Sequence, residues 1–308
     1  NLHFLRRMDL DRLDAIHVVF DRAPQPGGEA FVDRVQSEFP NLPLRCRFQP
    51  RAAAAIVNRV NQSKFYASLN WVTGLGDCQS RYAILHDFDL YPLDPLLFDR
   101  VIAKMETDGL RFSGLEPNCY DTLTEQDGFI GTWGLGIDVE WLRRSYRPVD
   151  CFHAFINWNG KRVDIDAFGA VQAKTPERAL APGIHRHSFA HVSNLCSTYL
   201  RFTGRQPVNI AWRLHYLWYL LSITDKDDQR LLQMTEAMNN ADGPKLYLGE
   251  YEVDCSDVDP TCANVLRSEL TQMENVLYQN VRPAVEDFIR SFDDYLQRIN
   301  PTKVEMSS

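Results

Sequence analysis

Residues 82–93 read YAILHDFDLYPL, and this stretch decides the predicted fold. Its first four residues form an apolar run typical of a buried parallel strand, and Asp87 and Asp89 follow that run. Open α/β sheets bind their ligands at the carboxyl ends of strands, so both acids are expected at the mouth of a sheet. Two close carboxylates repel each other, and an oxygen-preferring cation such as Mg²⁺ or Mn²⁺ relieves the repulsion. The stretch therefore predicts a metal site after a buried strand.

Predicted strands and helices alternate around this stretch. Strands are expected at Ile16–Phe20 and Leu44–Phe48, and helices at residues 29–38, 51–73 and 95–106, from the spacing of apolar residues. Such alternation is typical of a mainly parallel sheet that is covered by helices. The predicted fold class is therefore α/β, with a Rossmann-like central sheet.

The pattern becomes mixed after about residue 110. Residues 111–115 and 128–136 are predicted strands, and residues 139–145 a short helix. Asn159-Gly160 marks a turn, and residues 179–192 are expected to form a strand and a histidine-rich loop. These elements are assigned to the same domain as the preceding ones.

The last third of the sequence has the composition of a helical region. Long helices are predicted at residues 211–223, 227–238 and 263–299, with a break in the last one at Pro283. The sequence thus predicts a domain over residues 1–204 and a helical C-terminal extension over residues 205–308.

The start of the chain favours a further element upstream. Apolar residues among the charges of residues 1–13 indicate a helix that leads directly into the first predicted strand. A helix in that place normally follows an earlier strand, so a first strand is expected before Asn1.

Composition excludes several classes of function. With 44% hydrophobic and 24% charged residues among 308, the chain is long enough to bury a substantial core. A net charge of −8 disfavours nucleic-acid binding, which needs a basic face. Seven scattered cysteines without a Cys-x-x-Cys pair indicate free thiols and predict a cytoplasmic protein. No apolar run reaches the roughly 20 residues of a transmembrane span, so none is expected.

A D-x-D pair alone is weak evidence for a metal site, because acids near turns are commonly solvated or cap helices. Residues 86–93, however, resemble the metal-binding strand of the β-1,4-galactosyltransferase-like families, in which a His-Asp-x-Asp-Leu-x-Pro segment occurs. The chain thereby resembles nucleotide-sugar glycosyltransferases of the GT-A fold. The resemblance implies that Asp89 ligates the metal and that Asp87 contacts the ribose or an outer-shell water.

Residues 157–169, NWNGKRVDIDAFG, carry a second resemblance. In those families a loop rich in tryptophan and glycine leads into Glu-Asp-x-Asp and an aromatic residue, and glycosyltransferase family 2 has a related Glu-Asp pair. The resemblance implies that Asp164 is the catalytic base, with Asp166 as second choice. Val163 departs from the pattern because it replaces the glutamate. Alternatively, the two acids cap a helix predicted at residues 167–173.

A histidine cluster follows, at His185, His187 and His191. Such enzymes often complete the metal sphere with a late histidine, and imidazole is an acceptable Mn²⁺ ligand. Order and spacing in the resembling families favour His191 as the ligand, and His187 is the runner-up. The alternative is a structural or solvated role for these side chains.

Other positions match the glycosyltransferase pattern more loosely. Asp21, at the end of a predicted strand, is expected to bind the nucleobase or else to begin a proline-rich turn. Asn70 is expected near the nucleotide, and Trp133 is expected either to lie beneath the sugars or to belong to the core. Lys64 or Arg59 would meet phosphate, or simply lie on solvated helix faces.

Together these matches predict an inverting, metal-dependent hexosyltransferase, as in polysaccharide biosynthesis. It would move a sugar from a nucleoside diphosphate donor, preferably UDP-linked, to a hydroxyl of a glycan or glycoconjugate acceptor. A non-catalytic GT-A-like module that binds sugars or a partner is the alternative. A D-x-D phosphohydrolase fits less well, because Tyr91 stands where that class has threonine or valine. The helical extension is the candidate surface for a partner or for a second copy of the chain.

Overall fold

The computed structural model describes most of the chain. The described residues are 1–20, 27–60, 62–119, 122–185, 187–207, 212–256, 258–259 and 261–300. The chain forms two compact units, Leu2–Ser188 and Phe189–Ser308, named here the N-terminal unit and the C-terminal unit. Helices and small mixed sheets make up the fold, so the predicted α/β class is confirmed at that level. The predicted domain boundary at residue 204 stays a prediction.

The N-terminal unit contains seven α-helices and nine strands among its described residues. The helices are α1 Leu2–Leu5, α2 Gly28–Glu38, α3 Arg51–Val60, α4 Ser63–Asp77, α5 Leu97–Asp108, α6 Val139–Ser145 and α7 Gly169–Gln172. The strands are β1 Ile16–Phe20, β2 Leu44–Phe48, β3 Tyr82–His86, β4 Leu90–Pro92, β5 Phe112–Gly114, β6 Gly134–Asp138, β7 Ala154–Trp158, β8 Lys161–Ile165 and β9 Arg178–Leu180. Strands β1 and β2 and helix α6 have the predicted bounds.

A four-stranded mixed sheet, in the order β3-β6-β5-β9, carries the D-x-D strand. Both β3 and β5 run antiparallel to β6, and β9 runs parallel to β5. Strands β3, β5 and β9 therefore point the same way, and β6 returns between them in the opposite direction. Strands β1 and β2 form a separate parallel pair. The described strands thus do not show the mainly parallel central sheet that was predicted, because β6 separates β3 from β5.

Glycines in β6 allow its neighbours to pack closely. A Cβ atom on Gly134 would lie 2.3 Å from the Leu115 side chain, and one on Gly136 would lie 2.6 Å from Val101 of α5. Contacts that short do not occur for real Cβ atoms, so any larger residue would push the neighbours away. Close packing on β6 holds the ends of β3 and β5 in fixed positions.

The β7–β8 hairpin confirms the predicted turn at Asn159-Gly160. Both turn residues have positive φ, 49° and 78°, as expected for the two-residue turns that Asn-Gly sequences favour. Side chains alternate across the hairpin: Val163 is buried in the core, whereas Phe155, directly opposite Asp164, is 56% exposed. Residues opposite each other in an antiparallel pair share a face, so Phe155 and Asp164 lie together on the outer face.

The core beneath the sheet is apolar and continuous. Its fully buried members include Phe112, Leu135, Ile137 and Phe168, and Leu85 of β3 packs into the same cluster. Burial of such side chains contributes about 1.5–3 kcal/mol each to folding, so β3 is firmly anchored up to the acids that follow it.

The C-terminal unit is mostly helical, as predicted. Its elements are β10 Phe189–His191, α8 Leu195–Thr203, α9 Trp212–Asp225, α10 Gln229–Asn239, β11 Lys245–Leu248, β12 Tyr251–Asp254, α11 Thr261–Tyr278 and α12 Pro283–Ile299. Pro283 occupies the first turn of α12, which confirms the predicted break, since proline is tolerated there and not in a helix interior. Strands β11 and β12 form an antiparallel hairpin that the sequence analysis missed.

A buried ion network lies at the start of α12. The Glu274 carboxylate is fully buried and accepts hydrogen bonds from the backbone N–H and the Nε of Arg282, at 3.0 and 2.9 Å. Tyr219 donates to Glu274 at 3.0 Å, and Arg282 also donates to Asp228 at 2.6 Å. Each acid of this network therefore has a cation or a hydroxyl donor as its neighbour.

Two further predictions concern the whole chain. None of the described helices is both long and apolar enough to cross a membrane, in agreement with the prediction of no transmembrane span. All seven cysteines are free thiols.

Candidate functional site

The end of β3 delivers two carboxylates, as predicted. Strand pairing places His86 opposite Gly134, so the preceding Trp133 lies beside Asp87, and the Asp87 N–H donates to the Trp133 carbonyl at 3.3 Å. Asp89 is only 4% exposed, whereas Phe88 between the two acids is 57% exposed. The chain thus turns its acids inward and an aromatic ring outward, the reverse of the usual preference.

A third acid, Glu116, follows β5 at the same edge of the sheet. Because β3 and β5 point the same way, Glu116 leaves the sheet where Asp87 does. Its Oε2 accepts a hydrogen bond from Trp133 Nε1 at 3.1 Å. Trp133 therefore connects the two strand ends, through its carbonyl to Asp87 and through its indole to Glu116.

Asp166, just beyond β8, is the fourth acid in this region. Its Oδ2 accepts from the buried Thr132 hydroxyl at 2.9 Å, and its Oδ1 accepts from the Ala167 N–H at 2.8 Å. It lies close enough to Asp87 for their charges to interact. We name the four residues Asp87, Asp89, Glu116 and Asp166 the acidic edge.

Burial shifts the pKa of two acids of the acidic edge, Asp87 and Glu116, and like charges add to the shift at Asp87. Burial, and then the charges of Asp89 and Asp166, raise the pKa of Asp87 to about 7. Burial also raises the pKa of Glu116, against the opposing hydrogen bond from Trp133. A divalent cation favours ionised carboxylates and would reverse these shifts. Carboxylate oxygens such as those of Asp87 and Asp89 are ligands that suit Mg²⁺ or Mn²⁺.

Gly131 allows Trp133 to adopt its position. A Cβ atom on residue 131 would lie 2.3 Å from the indole ring, so the ring folds back over the glycine. Trp133 is partly buried, and its indole hydrogen bond is made within the protein. Both predicted roles for Trp133, in the core or beneath the sugars, stay predictions.

The predicted base, Asp164, belongs to a separate group of charged residues. Lys64 Nζ from α4 donates to its Oδ2 at 2.8 Å, and His153 Nε2 contacts its Oδ1. Partial burial acts to raise the pKa of Asp164, but the hydrogen bonds from Lys64 and His153 outweigh it and lower the pKa overall. Asp166, the second choice, lies just beyond β8 and interacts with Asp87.

Two other predicted residues of the N-terminal unit have defined positions. The Asn70 side chain on α4 accepts from the buried Gln49 amide at 2.7 Å, which ties it to the end of β2. His187 is exposed, in the loop before Ser188. Asp21 lies outside the described residues. A nucleotide-binding role for Asn70 therefore stays a prediction.

His191 ends β10 of the C-terminal unit. Burial, with the nearby charge of Arg213, lowers its pKa to about 4. The imidazole is therefore neutral at pH 7, which is the form that ligates metals. Arg213 itself donates to the Ser193 hydroxyl at 3.0 Å.

Sequence reasoning missed Glu116, Thr132 and His153. Glu116 follows the short strand β5 as a single acid, which is a weaker signal than the pair of acids that follows β3. Thr132 directly precedes Trp133, which the sequence analysis names. His153 has no motif around it, and only its contact with Asp164 reveals it.

Comparisons with protein families, with curated proteins and with solved structures gave no match to this chain. A function is therefore argued from its own residues.

Proposed function

We propose that this protein is a metal-dependent, inverting glycosyltransferase of the GT-A type. One observation carries the proposal: the acidic edge gathers carboxylates at the ends of β3 and β5, which run in the same direction. The Trp133 indole binds one of these acids, and Asp164, with its partner Lys64, lies two residues before another. Two close acids often occur by chance, but burial together with the charges of Asp89 and Asp166 raises the pKa of Asp87 to about 7, and such an arrangement is costly without a ligand.

Asp89 and His191 would hold the cation, Mn²⁺ or Mg²⁺, and Asp87 would contact the ribose or an outer-shell water. A carboxylate oxygen and an imidazole nitrogen are ligands that Mn²⁺ accepts together. When bound, such a cation offsets the negative charge that grows on a departing nucleoside diphosphate.

The chain's own residues would supply orientation and proton transfer. Thr132 and Trp133 hold Asp166 and Glu116 in place, and this fixes the floor of the site. Asp164 is the candidate base that receives the proton of the acceptor hydroxyl, an effect worth roughly 10²- to 10⁴-fold in rate. The attack of the acceptor oxygen opposite the leaving group, in one displacement, would invert the anomeric carbon.

The strand arrangement supports the GT-A assignment in part. The parallel pair β1–β2 and the common direction of β3, β5 and β9 are compatible with a nucleotide-binding α/β domain, in which ligands bind at carboxyl ends of strands. We propose residues 1–204 as the catalytic domain and residues 205–308 as an extension that serves a partner or a second copy.

Substrates follow from the resemblance. A UDP-linked hexose is the proposed donor, and a hydroxyl of a glycan or glycoconjugate is the proposed acceptor, as in cytoplasmic steps of polysaccharide biosynthesis. Asn70 and Trp133 are the proposed contacts to nucleotide and sugar, and Asp21 is the proposed contact to the base.

A thermal-shift panel of UDP, GDP and dTDP, each with and without Mn²⁺, tests the proposal. Binding at 100 times Kd stabilises a protein by about 2.7 kcal/mol, so a selective rise in melting temperature is expected for one nucleotide with Mn²⁺. Asp89→Asn should lose that rise. Asp99→Asn, an exposed acid on α5 paired with Arg12, is the matched control and should keep it. Failure of all three nucleotides to stabilise the protein would overturn the proposal.

A non-catalytic sugar-binding module is the second candidate. Val163, where the resembling families have glutamate, is fully buried in the hairpin core and offers no polar group to an acceptor. In that case a UDP-sugar would stabilise the protein with Mn²⁺ but would be neither hydrolysed nor transferred. Turnover that falls in Asp164→Asn, with nucleotide binding kept, would exclude this candidate.

A further inference from the structure

Three side chains share the outer face of the β7–β8 hairpin. Phe155 lies opposite Asp164, and the ring of His153, two residues before Phe155, is 5.9 Å from the Phe155 ring. Lys64 of α4 approaches the same face, with its Nζ 2.8 Å from Asp164 Oδ2 and 3.3 Å from His153 Nε2. The His153 backbone N–H donates to the Ser68 hydroxyl at 3.2 Å, which fixes the residue against α4.

The contacts of His153 select one tautomer. Its Nε2 faces both the Asp164 carboxylate, which accepts only, and the Lys64 ammonium, which donates only. A nitrogen cannot donate to the first and accept from the second at once. The carboxylate can only accept, and the Lys64 ammonium already donates to Asp164, so the geometry favours a proton on Nε2 that is donated to Asp164. The neutral ring then has an unprotonated Nδ1.

The Nδ1 atom is accessible. It makes no hydrogen bond to any residue in the described part of the chain, and it is not among the buried polar atoms that lack a partner. The side chain is 20% exposed. An imidazole with one nitrogen bound to a carboxylate and the other open to solvent is the arrangement of a general base and its orienting acid.

Asp164 is less suited to receive a proton itself. Both of its oxygens are engaged, one by His153 and the other by Lys64. A carboxylate that is stabilised in this way is a weak base. The acid that the sequence favoured thus has a neighbour that is better placed for the same step.

We propose that His153 is the catalytic base of the glycosyl transfer, and that Asp164 is a positioning residue that acts through it; this rests on the proposed function. The acceptor O–H bond breaks, and its proton goes to His153 Nδ1. The acceptor oxygen forms a bond to the anomeric carbon, while the bond from that carbon to the diphosphate oxygen breaks and the electron pair leaves with the diphosphate. Asp164 stabilises the imidazolium, which later returns the proton to water.

The surroundings fit a sugar acceptor. Phe155 on the same face is 56% exposed, with the Arg162 guanidinium 4.4 Å from its ring centroid, and aromatic faces stack on sugar rings. Asp164 and Asp166 are two residues apart, so their Cα atoms lie within about 7 Å of each other. The histidine is therefore near the acidic edge, to which Asp166 belongs.

The tautomer of His153 is tested first, by long-range ¹H–¹⁵N correlation NMR on the full chain at neutral pH, with the resonances assigned by their loss in His153→Gln. We expect a proton on Nε2 and none on Nδ1 in the wild type, and a mixture of tautomers in Asp164→Asn. A proton on Nδ1 in the wild type would overturn the proposal. This readout needs no substrate.

Turnover of UDP-glucose and UDP-galactose with Mn²⁺, by release of UDP, is the second test. His153→Gln should lower kcat by about 10²- to 10⁴-fold and remove the acidic limb of the pH–rate profile, with UDP affinity unchanged. Asp164→Asn should shift that limb rather than remove it. Asp99→Asn, an exposed acid on α5 outside this hairpin, is the control and should behave as wild type.

The two proposals fail in different ways. If no nucleoside diphosphate stabilises the protein with Mn²⁺, the glycosyltransferase assignment fails, and the role given to His153 fails with it. If UDP binds and turnover in His153→Gln equals that of the wild type, only the role of His153 is overturned, and Asp164 remains the candidate base.

Discussion

In the C-terminal unit the buried Glu274 carboxylate faces the guanidinium of Arg282, whereas at the acidic edge of the N-terminal unit Asp87 has the charges of Asp89 and Asp166 as neighbours. Both arrangements keep acids away from water. The first contains its own counter-charge and needs nothing from outside. At the acidic edge, burial and the neighbouring charges raise the pKa of Asp87 to about 7, so an added cation would stabilise this region. Buried acids thus indicate structure or function according to which charges surround them.

The largest expected effect comes from removing the counter-charge in the C-terminal unit. Arg282→Met leaves Glu274 buried without its cation, which should cost about 3–5 kcal/mol in the free energy of unfolding, as measured by urea denaturation. Arg230→Met, which breaks the exposed pair with Asp225, should cost at most about 1 kcal/mol. Equal losses in the two variants would remove the distinction between the two kinds of ion pair.

The second-largest expected effect is stabilisation by a cation, which should depend on the acidic edge and not on the ion network of Arg282. Mn²⁺ at 100 times its Kd is expected to stabilise the wild type by about 2.7 kcal/mol in thermal unfolding, and Asp89→Asn should abolish the gain. Asp228→Asn, within the ion network of Arg282, should retain it, because that acid already has a cation. A gain that survives in Asp89→Asn would mean that Mn²⁺ binds elsewhere.

Overpacking at Gly131 should have a smaller effect, confined to the acidic edge. In Gly131→Ala the added methyl displaces the Trp133 indole, at a cost of about 1–3 kcal/mol in stability. The Trp133 Nε1–H resonance in NMR should shift as its hydrogen bond to Glu116 is lost. Gly76→Ala is the control, because a Cβ atom there meets open space, and it should leave this resonance unchanged. Gly160→Ala would be unsuitable, because alanine is strained at its positive φ.

The smallest expected effect concerns Asp164 and pH. Its pKa is lower in the folded state than the ordinary value, so its contribution to stability is present at neutral pH and is lost as pH falls through the folded pKa. Asp164→Asn should therefore be less stable than the wild type at pH 7, and the difference should shrink as the pH is lowered below about 4. Urea denaturation at pH 7 and pH 3 measures this.

Asp11→Asn, at an exposed acid in the loop before β1, serves as the control for that experiment. A constant difference between Asp164→Asn and the wild type at both pH values would show that the contacts of Asp164 with Lys64 and His153 add no charge-dependent stability.

Local signals made much of the fold predictable. Strands β1 and β2, helix α6, the Asn159-Gly160 turn and the break at Pro283 depend on periodicity or backbone conformation within a few residues, and all agree with the structure. The direction of a strand has no such signal. The antiparallel return of β6 was therefore missed, because periodicity shows which face is buried and not which way the chain runs.

The candidate site was predictable where an acid follows a strongly apolar strand, as Asp87 and Asp89 do. Glu116 follows the short strand β5 as a single acid, which looks like any surface residue in the sequence. His153 was missed because its partners, Lys64 and Asp164, are far from it in sequence or on a facing strand, and such contacts follow from packing alone.

The turn at Asn159-Gly160 also determines which chemistry the hairpin presents. Because side chains alternate strictly along a strand, a slip of one residue in the pairing of β7 and β8 would carry Asp164 into the core and turn Val163 toward solvent. Insertion of a single residue into this loop invites such a slip, although it would alter none of the site residues. The outer face of the hairpin therefore depends on the two-residue length of the Asn159-Gly160 loop as strictly as it depends on the presence of Asp164 and His153.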